Sequence, residues 1–284
     1  MKNEITQKDM KAFKNWLKQE ERSQGTIEKY LRDLKAFFQF LPENTLPREA
    51  AKESLTAWKE YLIRSEYAVV TINSMLTAVN GFFRFVGWEE CRVRPLRMQK
   101  RIFSDENKEL TKEEYLRLLK TAEKQGNQRL YYILQTIAAT GIRVSELPFI
   151  TVESLRTGRS EVRCKGKLRV ILITKKLCKA LQSYCRKKKI KSGPIFITRS
   201  GTPVNRSNIW SEMKRLCEAA GVSAKKVFPH NLRHLFAKTF YRMEKDIAKL
   251  ADLLGHASID TTRIYIMESG REHERQVERM GLVI

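Results

Sequence analysis

The chain predicts a mainly α (α+β) fold: an amino-terminal four-helix bundle, then a mainly helical domain with one small antiparallel β-sheet. Three observations carry this. Four apolar stripes of helical period lie in residues 1–90, the period switches to alternation only within 161–173, and helical stripes then resume.

Each element follows in turn. Met10, Phe13, Trp16 and Leu17 share one helical face. Ile27, Tyr30, Leu31, Leu34, Phe37, Phe38 and Leu41 form a stronger stripe, with Thr26 placed to cap it. Pro42 and Pro47 break that pattern. Leu55, Trp58 and Leu62 begin a third stripe, and Ile72, Met75, Leu76, Val79, Phe82, Phe83 and Val86 make a fourth that ends near Gly87. Four amphipathic helices in so short a span make a small bundle. Residues 91–106 are basic, with Arg92, Arg94, Arg97, Lys100 and Arg101 around Pro95. They are poor in apolar residues and lack a period, so a linker is expected there between domains at 1–90 and 107–284. The second domain opens on Thr111-Lys112-Glu113-Glu114, which has capping-box spacing. Residues 131–139 are apolar enough for a buried helix. Leu168, Val170 and Leu172 alternate with Arg169, Ile171 and Ile173, and Lys165-Gly166 sits where a hairpin would turn. Helices are expected again at 175–189, near 207–220 and after Pro229.

Composition narrows the function classes. The 284 residues hold 55 Lys and Arg against 32 Asp and Glu, a net charge of +23. Such an excess calls for an acidic partner, and the phosphate backbone of nucleic acid is the usual one. A hydrophobic fraction of 42% is too high for a disordered chain. No apolar leader and no run of about 20 apolar residues is present, which disfavours secretion and membrane spanning. Cys91, Cys164, Cys178, Cys185 and Cys217 are odd in number and contain no CxxC, so reduced thiols in the cytoplasm are expected rather than disulfides or zinc.

The chain has no glycine-rich phosphate loop, no HExxH and no obvious carboxylate cluster for Mg²⁺. What remains is cationic and imidazole chemistry. Gly141 can cap a helix and place Arg143 in a tight junction, with Glu146 one turn on to orient it. His230 and Arg233 follow Pro229 and share a helical face. Leu253-Leu254-Gly255-His256 ends a helix on glycine, Ser258 or Asp260 can cap the next, and Tyr265 lies on that next helix. Taken singly, each has a bland reading: a surface Arg–Glu pair, a capped helix with solvated His and Arg, a half-buried core tyrosine.

Together, Thr140-Gly141-Ile142-Arg143-Val144-Ser145-Glu146-Leu147, Lys165-Gly166-Lys167, His230-Asn231-Leu232-Arg233-His234 and the run from Leu253 to Tyr265 resemble, in order and spacing, the tyrosine recombinase (phage integrase, Xer-like) family. The resemblance covers both domains. It implies that Arg143 and Arg233 clamp a scissile phosphate and that Glu146 supports the first arginine. Lys165, with Lys167 as runner-up, would protonate the leaving 5′ oxygen. His230 would accept a proton, His256 would bind a phosphate oxygen, and Tyr265 would be the nucleophile. In the first domain, Ser23, Thr26, Tyr30, Leu34 and Phe37 resemble the core-site-binding helices, and Arg92, Arg94 and Arg97 are candidate phosphate contacts. The implied function is site-specific recombination of double-stranded DNA through a 3′-phosphotyrosine and a Holliday junction. It would be carried out by a tetramer on DNA, alone or with a related recombinase or accessory factor, with no cofactor and no metal. The tail at 266–284, charged over 271–279 and apolar at its tip, would dock on a neighbouring protomer. The rivals are a strand-relaxing topoisomerase of related chemistry and a catalytically silent DNA-binding accessory or regulatory protein of the same fold.

Overall fold

The computed structural model describes residues 3–43, 45–98, 106–164, 167–267, 275 and 278–282. The chain divides into two compact units, Met1–Lys100 and Arg101–Ile284.

The first unit contains the four expected helices: α1 (Asp9–Gln19), α2 (Gln24–Phe40), α3 (Ala51–Arg64) and α4 (Val69–Val86). Its core is dominated by rings. Phe13 meets Phe82 edge-on at 5.2 Å between centroids, and Phe37 lies 5.1 Å from Trp58. Each fully buried aromatic contributes about 2–3 kcal/mol of apolar transfer free energy. Over its 18 residues α4 has a mean hydropathy of 1.3, apolar enough by length and composition to cross a membrane, and its Ile72, Leu76, Val79, Phe82 and Phe83 are buried in this core. Gly87 ends it in the left-handed conformation at φ 80°.

Two expectations need correction here. The unit is not helical throughout. β1 (Glu4–Thr6) pairs antiparallel with β2 (Thr45–Pro47), and Ile5 lies opposite Leu46 with both side chains buried. Three-residue strands are too short to show a period. The cap of α2 is Ser23, whose extended backbone lets its hydroxyl accept from the Thr26 N–H; Thr26 sits inside the first turn. Leu34 and Phe37, placed on the apolar stripe of α2, are fully buried in the core.

The basic stretch expected as a free linker is held along its first half. Residues 92–98, which form neither helix nor strand, lie beside α4, where Asn80 bonds both the N–H and the C=O of Val93 and Asn73 does the same for Leu96. The side chains of Val93 and Leu96 pack on the core.

The second unit begins with a single 3₁₀ turn at Glu106–Lys108. Two bonds tie this start to a later helix: Asn231 donates to the Lys108 carbonyl at 2.6 Å, and the Lys238 ammonium meets Glu109 at 2.5 Å. Next come α5 (Lys112–Lys124), opened by the expected Thr111–Glu114 capping box, and the buried α6 (Gln128–Thr140). A 3₁₀ helix at Val144–Phe149 and the short α7 (Ser154–Thr157) lead into β3 (Arg159–Cys164) and β4 (Lys167–Leu172). The two strands are antiparallel, with Cys164 opposite Lys167, so Lys165-Gly166 fall at the connection and lie outside the described residues. The buried face of β4 carries Ile171, with Ile173 just beyond it, while Val170 and Leu172 are exposed. The remaining helices are α8 (Lys175–Lys188), α9 (Arg206–Ala220), α10 (Pro229–Glu244), α11 (Ile247–Leu254) and α12 (Ile259–Ile266). α10 packs on α6 and α12, which brings its face to the ends of α6 and α11. Of the tail, only 275 and 278–282 are described beyond 267; Met280 and Leu282 there are exposed, and the expected docking segment otherwise lies outside the described residues.

Candidate active site

The site is assembled from helix ends. α6 stops at Thr140 because Gly141 takes φ 64°, and a Cβ there would lie 2.4 Å from the Phe236 ring. The chain then turns so that the Arg143 N–H donates to Glu146 Oε2 at 2.8 Å, while its guanidinium reaches Oε1 at 3.1 Å. Glu146 is buried, which excludes the surface-pair reading. Its carboxylate is shared: Arg169 Nη1, from β4, donates to Oε2 at 2.7 Å. Arg169 also donates from Nη2 to the Leu253 carbonyl at 2.7 Å, tying the hairpin to the end of α11. The Arg143 side chain keeps 44% exposure, so donors not engaged by Glu146 face solvent.

α10 starts on Pro229, whose missing N–H costs nothing in a first turn. Arg233 on its inner face is 1% exposed. Its guanidinium donates to Gly141 O at 2.5 Å, to Leu254 O at 2.8 Å and to His256 Nε2 at 2.8 Å, leaving Nε without a partner. Burial, and then the nearby Arg143, push its pKa down to about 10, so it remains a cation at neutral pH.

Gly255 ends α11 at φ 63°, and a Cβ there would come within 2.5 Å of Arg169 Cδ. His256 follows. A guanidinium can only donate, so His256 Nε2 accepts; the ring hydrogen is therefore on Nδ1, which donates to Thr262 Oγ1 at 2.8 Å. Burial, then Arg233 and Arg143, lower the His256 pKa to about 4. Burial and the same two arginines push His230 below the ordinary imidazole value, with Arg206 adding to the effect. Both rings are neutral bases at pH 7.

Ser258 caps α12, which carries Tyr265. The phenol ring is 5% exposed. It lies 5.2 Å from His230, 5.2 Å from His234 and 5.4 Å from His256 between centroids, with the Arg233 guanidinium carbon 5.8 Å from its own. Ala237, Leu250 and Leu254 complete its surroundings.

Arg143, Glu146, His230, Arg233, His256 and Tyr265 therefore converge. Lys165 lies outside the described residues, as does the side chain of Lys167, whose backbone pairs with Cys164. Thr26 and Tyr30 are half-buried on α2 of the first unit; Arg94 and Arg97 are exposed, and Arg92 is ion-paired with Glu89. Sequence reasoning missed Arg169, Thr262 and His234. Arg169 had a signal, since alternation in β4 puts it on the face of Ile171, where an unpaired charge would not be tolerated. His234 had one too, four residues after His230 on the same helix. Burial pushes the His234 pKa down, while Glu109 opposes the shift. Thr262 had only its helical spacing from Tyr265.

Among the described residues no group of three or more His, Cys, Asp or Glu side chains is arranged to hold a metal ion. The arrangement offers two arginines that can stabilise developing negative charge, neutral imidazoles that can take a proton, and a phenol among them that can serve as a nucleophile.

Residues 108–271 match the phage integrase family, and residues 10–90 match the phage integrase N-terminal SAM-like domain. The chain is 30% identical over 264 residues to tyrosine recombinase XerD of Halalkalibacterium halodurans, covering 86% of this chain and 87% of that protein. It is 29% identical over 284 residues to tyrosine recombinase XerA of Pyrococcus furiosus, covering 96% and 94%. Its fold resembles that of a lambda integrase dimer bound to a COC′ core site, with a TM-score of 0.74 at 19% identity over 95% of this chain and 79% of that one.

Proposed function

The chain belongs to the phage integrase family and is a tyrosine-type site-specific DNA recombinase; we propose that Tyr265 is its nucleophile and that strand exchange runs through a 3′-phosphotyrosine. The observation that carries this reading is the Tyr265 phenol set among three imidazoles and the buried Arg233 guanidinium.

The Tyr265 oxygen attacks the scissile phosphorus and the bond to the 5′ oxygen breaks. The phenol proton passes to neutral His230, and Lys165 gives a proton to the departing 5′ oxygen, a poor leaving group as an alkoxide. Arg143 and Arg233 hold the non-bridging oxygens as charge builds on them, and His256, whose Nε2 accepts from Arg233 in the free protein, contacts the same phosphate once that nitrogen carries a proton. The phosphotyrosine conserves the energy of the broken bond, so a 5′ hydroxyl from a second duplex reverses the step without ATP or a metal. Each chain supplies one such phenol. Two duplexes offer four strands, so complete exchange through a Holliday junction calls for four protomers on double-stranded recombination sites. The enzyme works in the cytoplasm with its DNA, in keeping with four buried free cysteines among the described residues.

The test is a covalent trap. The protein is mixed with sheared DNA in EDTA and quenched in SDS, with Tyr265→Phe in parallel. Protein-linked fragments that vanish in the variant support the reading, and sequencing them names the site. Equal adducts in both proteins, or none beside good DNA binding, overturn it.

A further inference from the structure

Asn73 and Asn80 do more than fill the surface of α4. Each side-chain amide takes both backbone groups of one strap residue. Asn80 accepts the Val93 N–H at 3.0 Å and donates to the Val93 carbonyl at 2.8 Å; Asn73 accepts the Leu96 N–H at 2.7 Å and donates to the Leu96 carbonyl at 2.9 Å. This is the double exchange of a hydrogen-bonded pair in an antiparallel ladder, with side chains standing in for a strand. The spacings agree. Seven helical residues advance about 10.5 Å, and three extended residues advance about 10 Å. A slip of one residue would break both pairs, so the register is fixed. Lys59 Nζ adds a bond to the Arg94 carbonyl at 3.0 Å.

The pattern fixes what points outward. Val93 and Leu96 face the core, while Arg94, Pro95 and Arg97 are exposed, and neither arginine has a partner among the described residues. Arg92 is different, being ion-paired with Glu89. Arg94 lies between the two clamped residues and Arg97 directly follows the second, so both guanidiniums, unpaired among the described residues, stand on a positioned backbone, and binding then orders only their side chains.

We propose that residues 92–98 form a phosphate-gripping strap of the first unit, in which Arg94 and Arg97 contact the backbone of duplex DNA and Asn73 and Asn80 are the positioning residues that hold them there. The proposal rests on the recombinase reading for its ligand. It assigns sequence-independent grip, since phosphate contacts position a protein on DNA without reading bases.

The test uses the full chain and a duplex of its own DNA, titrated across salt concentrations. Arg94→Gln/Arg97→Gln should reduce the slope of log affinity against log salt by about 1.8, or about eightfold in affinity per contact at 0.1 M salt. Asn73→Leu/Asn80→Leu changes no charge yet should lower the same slope and affinity. It should also speed tryptic cleavage after Arg92 and Arg97. An asparagine variant with faster cleavage and an unchanged slope overturns the strap as part of the grip. Unchanged cleavage overturns the positioning role. The arginine variant removes no buried contact, so an unchanged slope there refutes the proposal even if the asparagine variant fails to fold. A wild-type chain that binds duplex without salt dependence refutes the recombinase reading itself, a result distinct from all of these.

Discussion

Glu146→Ala removes a carboxylate that serves two arginines for different purposes. The bond to Arg169 is buried, with side-chain exposures of 10% and 6%, whereas Arg143 keeps 44% exposure. Breaking a buried pair by deleting one partner costs about 3–5 kcal/mol, because the remaining charge stays buried; an exposed pair is worth about 0–1 kcal/mol. Stability therefore follows Arg169. In a unit of this size 1 kcal/mol moves Tm by about 2–4 °C, so the unfolding transition of the second unit should fall by about 6–20 °C in calorimetry. Catalysis follows Arg143. Two bonds from Glu146, at 2.8 and 3.1 Å, aim that arginine, and loss of a positioned charge-stabilising donor costs about 10²–10³ in rate. Cleavage of a nicked suicide duplex, measured well below Tm, should fall toward that range. Arg169→Met should separate the two effects, with a large loss of stability and a smaller loss of rate, because Arg143 keeps its partner. A Glu146→Ala protein within about 1 kcal/mol of wild type, cleaving at a similar rate, would refute the division of labour.

Three further outcomes are expected. Tyr265→Phe should abolish the covalent adduct and leave DNA affinity and Tm nearly unchanged, since the ring still fills its place among the imidazoles; lost folding would make the residue structural. Gly255→Ala should cost about 2 kcal/mol, from the left-handed φ and the displaced Arg169 stem, and drop Tm by about 4–8 °C; an unchanged Tm would show that Arg169 has room to move. The unfolded chain takes a proton on histidine near 6.5, while His256 in the folded protein waits until about 4. The folded state therefore binds fewer protons in that window, and stability should decline as pH falls from 6.5 toward 4. An NMR titration should find the His256 ring still neutral at pH 6, and a midpoint above 6.5 would contradict the burial argument.

Much of this was legible because helices announce themselves. The stripes ending in Val86 and Leu254 stop at Gly87 and Gly255, and both glycines hold the left-handed caps that the sequence implies. The candidate site's residues could be placed for the same reason, since Arg143 and His256 follow helix ends and His230 and Arg233 lie in the opening turns of α10. What stayed hidden depends on partners far along the chain. Nothing local marks Ile5 and Leu46 as opposed across a strand pair. Nothing in residues 92–98 says that Asn73 and Asn80 hold them. Arg169 reads as one more basic residue until Glu146 and the Leu253 carbonyl are seen beside it.

The first described residues of the second unit are fastened to the helix that carries the candidate site. Asn231, which takes the Lys108 carbonyl, stands in the same helical turn as His230 and Arg233, and Lys238, which holds Glu109, is one turn beyond His234. Lys108 and Glu109 are thus moored to the helix of the candidate site and not to a bystander. A displacement of Lys108 and Glu109 is therefore resisted first by α10, the helix on which His230 and Arg233 stand, as a stay is resisted by its mast.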